Sequence, residues 1–158
     1  MLSIKKIENK IVDENSVIFL SILNNSICSI GETLENDDTE TFKGFMFAEC
    51  NISNSSKLHI NNFLKIKVVY IKATDSAKVK IYKINSDLLN LNMSNESKFN
   101  IKENSIVDQL VINKRNKSEI NCEKITGGIL TVYDNRLLSL NRLKNIPYEN
   151  FGKVYYLK

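Results

Sequence analysis

The sequence predicts an all-β or mostly β fold, an antiparallel β-sandwich or jelly-roll-like pair of sheets, in one domain over residues 1–158. Three observations carry this. Short runs rich in β-branched and aromatic residues recur along the chain. Clusters of Asn, Asp, Ser and Gly separate them. No strand–helix alternation of the α/β kind is present, and 158 residues suffice for one domain with a real core.

Taken in order, strands are expected near 2–7, 16–23, 43–48, 57–60, 64–72, 77–84, 97–101, 106–112, 119–125, 128–133 and 153–157. The best hairpin joins Leu64–Lys72 to Ala77–Ile84 through Thr74, Asp75 and Ser76. It would turn Val69, Ile71, Val79 and Ile81 to the core, with Tyr70, Lys72, Lys78, Lys80 and Tyr82 outward. Its flaw is Lys72 directly across from Lys78. A second hairpin is expected at Ile129–Tyr133 and Arg136–Leu140, with a short helix near 136–144 as the rival reading, and a further short helix is an option at 87–91. Gly127-Gly128 reads as a sharp turn, and Pro147 as the end of an element before the last strand. Glu14–Ile18 and Glu103–Val107 resemble each other, as a duplicated β unit would.

Asn, Ile and Lys dominate, and Lys far outnumbers Arg, a bias that points to an AT-rich genome. The net charge is a modest +4, but unevenly spread. Glu32, Glu35, Asp37, Asp38, Glu40 and Glu49 are opposed in their stretch only by Lys43. Lys57, Lys65, Lys67, Lys72, Lys78, Lys80 and Lys83 are opposed only by Asp75. Such asymmetry steers partners or docks one subunit on the next. Cys28, Cys50 and Cys122 form no CxxC, so a zinc ribbon or thioredoxin motif is excluded and buried free thiols in a reducing compartment are expected. No classical signal peptide and no membrane span is read, which favours a cytoplasmic or virion setting. Six Asn-x-Ser triplets begin at Asn24, Asn51, Asn54, Asn92, Asn95 and Asn116; outside a eukaryotic secretory setting they are read as carrying no signal.

No enzyme active site is legible. His59 is the only histidine, which excludes a His-rich metal site and makes it the sole histidine for any Ser-His-Asp or Cys-His arrangement. Neither a Gly-x-Ser-x-Gly elbow nor a glycine-rich phosphate loop occurs. Glu35, Asp37, Asp38 and Glu40 offer hard oxygen ligands suited to Ca²⁺, without EF-hand spacing. With Glu32 they also make a partner-facing acidic loop. The sharpest signal is the outward Lys–Tyr set Tyr70, Lys72, Lys78, Lys80 and Tyr82, since lysines contact phosphates and tyrosines stack on bases.

The function expected first is a non-enzymatic structural or protein-interaction subunit that self-associates or binds protein partners, as an accessory component of a phage or virus particle would. The alternative is a nucleic-acid or nucleotide-binding β protein using the Lys–Tyr face. A third reading is an enzyme with a dispersed site involving His59 or the acidic loop.

Overall fold

The computed structural model describes residues 4–7, 17–30, 41–134 and 143–157. Most of them lie in eleven strands: β1 (Ile4–Ile7), β2 (Val17–Ile22), β3 (Ile27–Ile30), β4 (Thr41–Ile52), β5 (Lys57–Ala73), β6 (Lys78–Met93), β7 (Lys98–Ile101), β8 (Ser105–Lys114), β9 (Glu119–Asn121), β10 (Ile125–Asp134) and β11 (Phe151–Leu157). Among the described residues one 3₁₀ turn, Tyr148–Asn150, starts directly after Pro147 and leads into β11.

The antiparallel sandwich or jelly roll is overturned by the strand pairing. Every pair is parallel. Lys57 pairs with Lys78, Lys78 with Lys98 and Lys98 with Glu119, so successive coils are 21, 20 and 21 residues long. The chain winds as a parallel β-solenoid, each coil lying one strand spacing (about 4.8 Å) above the last.

β6 shows the shape of a coil. Its buried positions are 79, 81, 84, 86, 89, 91 and 93, so the alternation slips between 81 and 84 and again between 86 and 89. Each slip re-aims the inward side chains, as a corner must. A tight turn after Met93 makes the third corner. A coil therefore has three faces: face one at 78–81, face two at 83–86 and face three at 88–93. Residues in register stack into rows. Cys28, Leu58, Val79, Phe99 and Ile120 form one inward row on face one. On face three, Phe47, Val69, Leu89, Leu110 and Leu130 form another. All ten are buried in one continuous core.

The third corner repeats with the same chemistry. Asn24, Asn54, Asp75, Asn95 and Asn116 all have φ between 52° and 56°, a left-handed conformation that Asn and Asp tolerate. Two residues on, Ser56, Ala77, Ser97 and Ser118 are buried, with room only for a small side chain. The Ser97 hydroxyl donates to the Ser94 carbonyl at 2.7 Å, and that of Ser118 to Arg115 at 2.9 Å. The turns also bond to each other. Asn116 Nδ2 donates to Asn95 Oδ1 at 2.9 Å, and Asn95 Nδ2 to Asp75 Oδ1 at 2.8 Å.

The hairpin of Leu64–Lys72 with Ala77–Ile84 is replaced by this corner. Thr74–Ala77 does turn tightly, its Ala77 N–H bonding the Thr74 carbonyl at 3.3 Å, but it leads from face three onto face one of the next coil. Lys72 is consequently flanked in register by Asn51 and Asn92, away from Lys78. Residues 87–91 are strand, not helix. Gly127-Gly128 lies inside β10 at a corner rather than in a chain reversal. A Cβ on Gly127 would overlap the Val107 carbonyl oxygen of the coil below. β10 pairs in parallel with β8 and β11, where an antiparallel hairpin with 136–140 was expected; the segment 135–142, with most of the alternative helix at 136–144, lies outside the described residues. The Glu14–Ile18 and Glu103–Val107 likeness is out of phase: Val17 heads the row containing Met46, Val68, Leu88 and Gln109, three residues past Ile106.

Candidate functional site

The rows distribute the Lys–Tyr set over different faces. Tyr70 and Lys72 point outward from face three. Lys78 and Lys80 point outward from face one, and Tyr82 sits at the next corner with the Lys102 ammonium 6.0 Å from its ring centre. The five residues do not form one surface. Face one instead adds two lysines that the hairpin could not reveal, Lys57 and Lys98. They have a sequence signal: Ser56-Lys57-Leu58, Ala77-Lys78-Val79 and Ser97-Lys98-Phe99 repeat a small residue, a lysine and an apolar residue after each turn.

Ile27, Lys57, Lys78, Lys98 and Glu119 thus form one outward row on face one, and Ser29, His59, Lys80, Asn100 and Asn121 form the next. Three lysines occupy adjacent strands in register. Like charges so placed repel by roughly 0.2–1 kcal/mol per contact. Among the described residues relief comes at one end, where Lys98 Nζ lies 3.7 Å from Glu119 Oε2; exposed ion pairs of this kind contribute about 1 kcal/mol or less. His59 is half-buried between Lys57 on its own strand, Lys80 on β6 and Ser29 on β3. Its pKa is lowered, first by desolvation and then by Lys80 and Lys57.

A cleft of about 650 Å³ opens on face two, lined in part by Phe63, Lys83, Asn85, Asn104, Thr126 and Asn150. Much of its polar lining is already engaged. Lys83 sits 4.9 Å over the Phe63 ring. Lys124 donates to the Lys102 carbonyl at 2.7 Å, and Asn150 to the Glu123 carbonyl at 3.0 Å. His59 is not part of this cleft. The acidic loop, Glu32, Glu35, Asp37, Asp38 and Glu40, lies outside the described residues, and with it the Ca²⁺ reading. Among the described residues no cluster of His, Cys, Asp and Glu is placed to hold a metal. All three cysteines are buried thiols that form no disulfide. Burial, and secondarily Cys28, pushes the Cys50 thiol up to about 12, and burial alone raises Cys122 further.

The C-terminal coil is built unevenly. Leu143, Ile146, Tyr148 and Phe151 are buried, and Cys122 N–H bonds the Asn145 carbonyl at 2.9 Å, so this stretch covers the end of the core beside β9. Face three ends differently. In register, Val154 continues the inward row of Leu130, and Tyr156 that of Val132. Leu130 and Val132 are buried, whereas Val154 is 41% and Tyr156 38% exposed. Tyr155 and Leu157, on the other side of the strand, are exposed too. Among the described residues β11 pairs with β10 alone.

No family model, curated protein or solved structure matches the chain. Among the described residues no helix is long and apolar enough to cross a membrane.

Proposed function

We propose that the protein is a non-enzymatic structural or protein-interaction subunit that docks a second copy of itself on its C-terminal end. The observation that carries this reading is the inward row of face three running into solvent at Val154. A solenoid coil buries its apolar rows only against a neighbouring coil, so an end left open favours another strand upon it. The other end of the same face supplies a fitting strand. β2 has six residues to the seven of β11, pairs with β4 alone among the described residues, and carries Leu20 and Ile22 in register with the inward residues Cys50 and Ile52. Setting β2 of one copy on β11 of another continues the rows in the same parallel sense. Such a contact is head-to-tail and propagates. The codon bias adds a phage or virus particle as the setting we favour for a propagating subunit.

Sedimentation velocity over a hundredfold concentration range tests this. The expected result is concentration-dependent association that Val154→Lys with Leu157→Lys abolishes while the circular dichroism spectrum is unchanged. A wild-type protein that stays monomeric at the highest concentration overturns it.

A further inference from the structure

We propose that face one binds a linear phosphate polyanion through Lys57, Lys78, Lys80 and Lys98. Three of these ammonium-bearing chains rise in one row at strand spacing, about 4.8 Å per step, and Lys80 stands in the adjoining row with Asn100 and His59. Among the outward face-one positions described, at 27–30, 57–60, 78–81, 98–101 and 119–121, the only carboxylate is Glu119, at the end of the lysine row. Sheet surfaces gain stability when charges alternate in sign across strands. This row does so once, at Lys98–Glu119, and otherwise stacks like on like.

Protection of a sheet edge, a common use of exposed lysine, does not account for it. β5 and β6 are interior strands, paired on both sides. A chain of phosphates laid along the row meets one ammonium per coil and removes the repulsion between them. Face one offers no tyrosine, phenylalanine or tryptophan in its outward rows, so the base stacking used by many single-strand binders is missing. Recognition is then of the backbone charge and independent of sequence. Two sources supply that chemistry, single-stranded nucleic acid and inorganic polyphosphate.

The test is fluorescence anisotropy of a labelled 20-nucleotide oligo(dT), from 20 to 300 mM NaCl, with inorganic polyphosphate of equal charge as competitor. Each phosphate contact on a single strand contributes about −0.7 to the slope of log K against log salt. Three to four contacts therefore give a slope of roughly −2 to −3. Lys78→Glu with Lys80→Glu should lower affinity at least tenfold at 20 mM NaCl. Lys72→Glu, on face three, should leave it unchanged.

His59, the only histidine, gives a resolved NMR reporter within the patch. Its groups in view are Lys57 and Lys80, with Ser29 on the third side, so a bound polyanion should raise its pKa. Tighter binding of the oligonucleotide names nucleic acid as the source. Tighter binding of polyphosphate names the inorganic chain, and equal binding means that any phosphate chain serves. No binding at 20 mM NaCl overturns the proposal. So does affinity retained in the double Glu variant, or lost equally in Lys72→Glu. The self-association proposed above is read separately, by sedimentation without polyanion.

Discussion

Replacing Lys78 by Glu should make the protein more stable, although it inserts a carboxylate into a basic face. Lys78 has Lys57 on one side and Lys98 on the other, each directly in register. The substitution turns two repulsive contacts into two attractive ones. Exposed cross-strand pairs are worth roughly 0.2–1 kcal/mol each, and solvent screening keeps Lys78 toward the low end, so the two reversals together contribute about 1 kcal/mol at low ionic strength. Lys and Glu are both weak strand formers, so intrinsic propensity changes little. An entropy of unfolding of about 2.1 cal/mol/K per residue converts 1 kcal/mol into a rise of about 3 °C in Tm for a chain of this length. Lys78→Gln removes the repulsion without adding attraction and should give about half. The assay is thermal unfolding in 20 mM and in 1 M NaCl. At 1 M the Debye length is about 3 Å, and the rise should fall below about 1 °C. A Tm unchanged or lowered at low salt, or a rise that survives 1 M NaCl, refutes the stacked-lysine account.

Gly127→Ala should cost about 1–3 kcal/mol, because its methyl would collide with the Val107 backbone carbonyl and the Phe151 ring. Gly128→Ala meets only the Asp108 carbonyl oxygen at 3.3 Å and should cost less than Gly127→Ala, both read as urea midpoints. Asn95→Ala should lose about 1–2 kcal/mol from the left-handed backbone alone. It also removes the bonds to Thr74, Asp75 and Asn116. Asn95→Gly, which keeps the backbone conformation, should lose less. Cys50 ionises near 9 when unfolded but only near 12 when folded, so the unfolded state releases its proton first as pH rises. Its contribution to stability is thus intact below about pH 9 and lost between about 9 and 12. Comparing urea midpoints of the wild type and Cys50→Ala across that range should show the wild type falling more steeply, and no difference in slope would refute the buried-thiol account.

Strand content was legible because the alternation of apolar and polar residues in β6, β7 and β8 has the same period of two in any sheet. That same fact hid the pairing direction: alternation shows which side chains turn inward, not which strand lies alongside. Thr74–Ser76 looked like a hairpin because left-handed turns of Asn, Asp and Ser serve hairpins and solenoid corners alike. The signal that separates the two was present in the triplets read as uninformative. Asn24, Asn54, Asn95 and Asn116 begin triplets whose serines, Ser26, Ser56, Ser97 and Ser118, are the small residues of the corner, and Asp75-Ser76-Ala77 fills the gap between the second and third. Aligning on them brings Lys57, Lys78 and Lys98 into one column. Tyr70 and Lys72 fell into the candidate site only because the hairpin carried them there.

The cross-section is set by one coil, and the length by how many are stacked. Residues 78–97 make a complete unit, since Lys78 and Lys98 hold the same row position and Ala77 and Ser97 the same corner. Excising those twenty residues would join Ala77 to Lys98 and restore every row in phase, whereas removing nineteen leaves one residue over, which turns the buried side of the next strand to water unless a corner absorbs it, as in the 21-residue coils. Genetic change in this chain is therefore quantised. The gene can lengthen or shorten in steps of about sixty nucleotides without a new core having to be invented, and ordinary small deletions are excluded from everywhere but the corners.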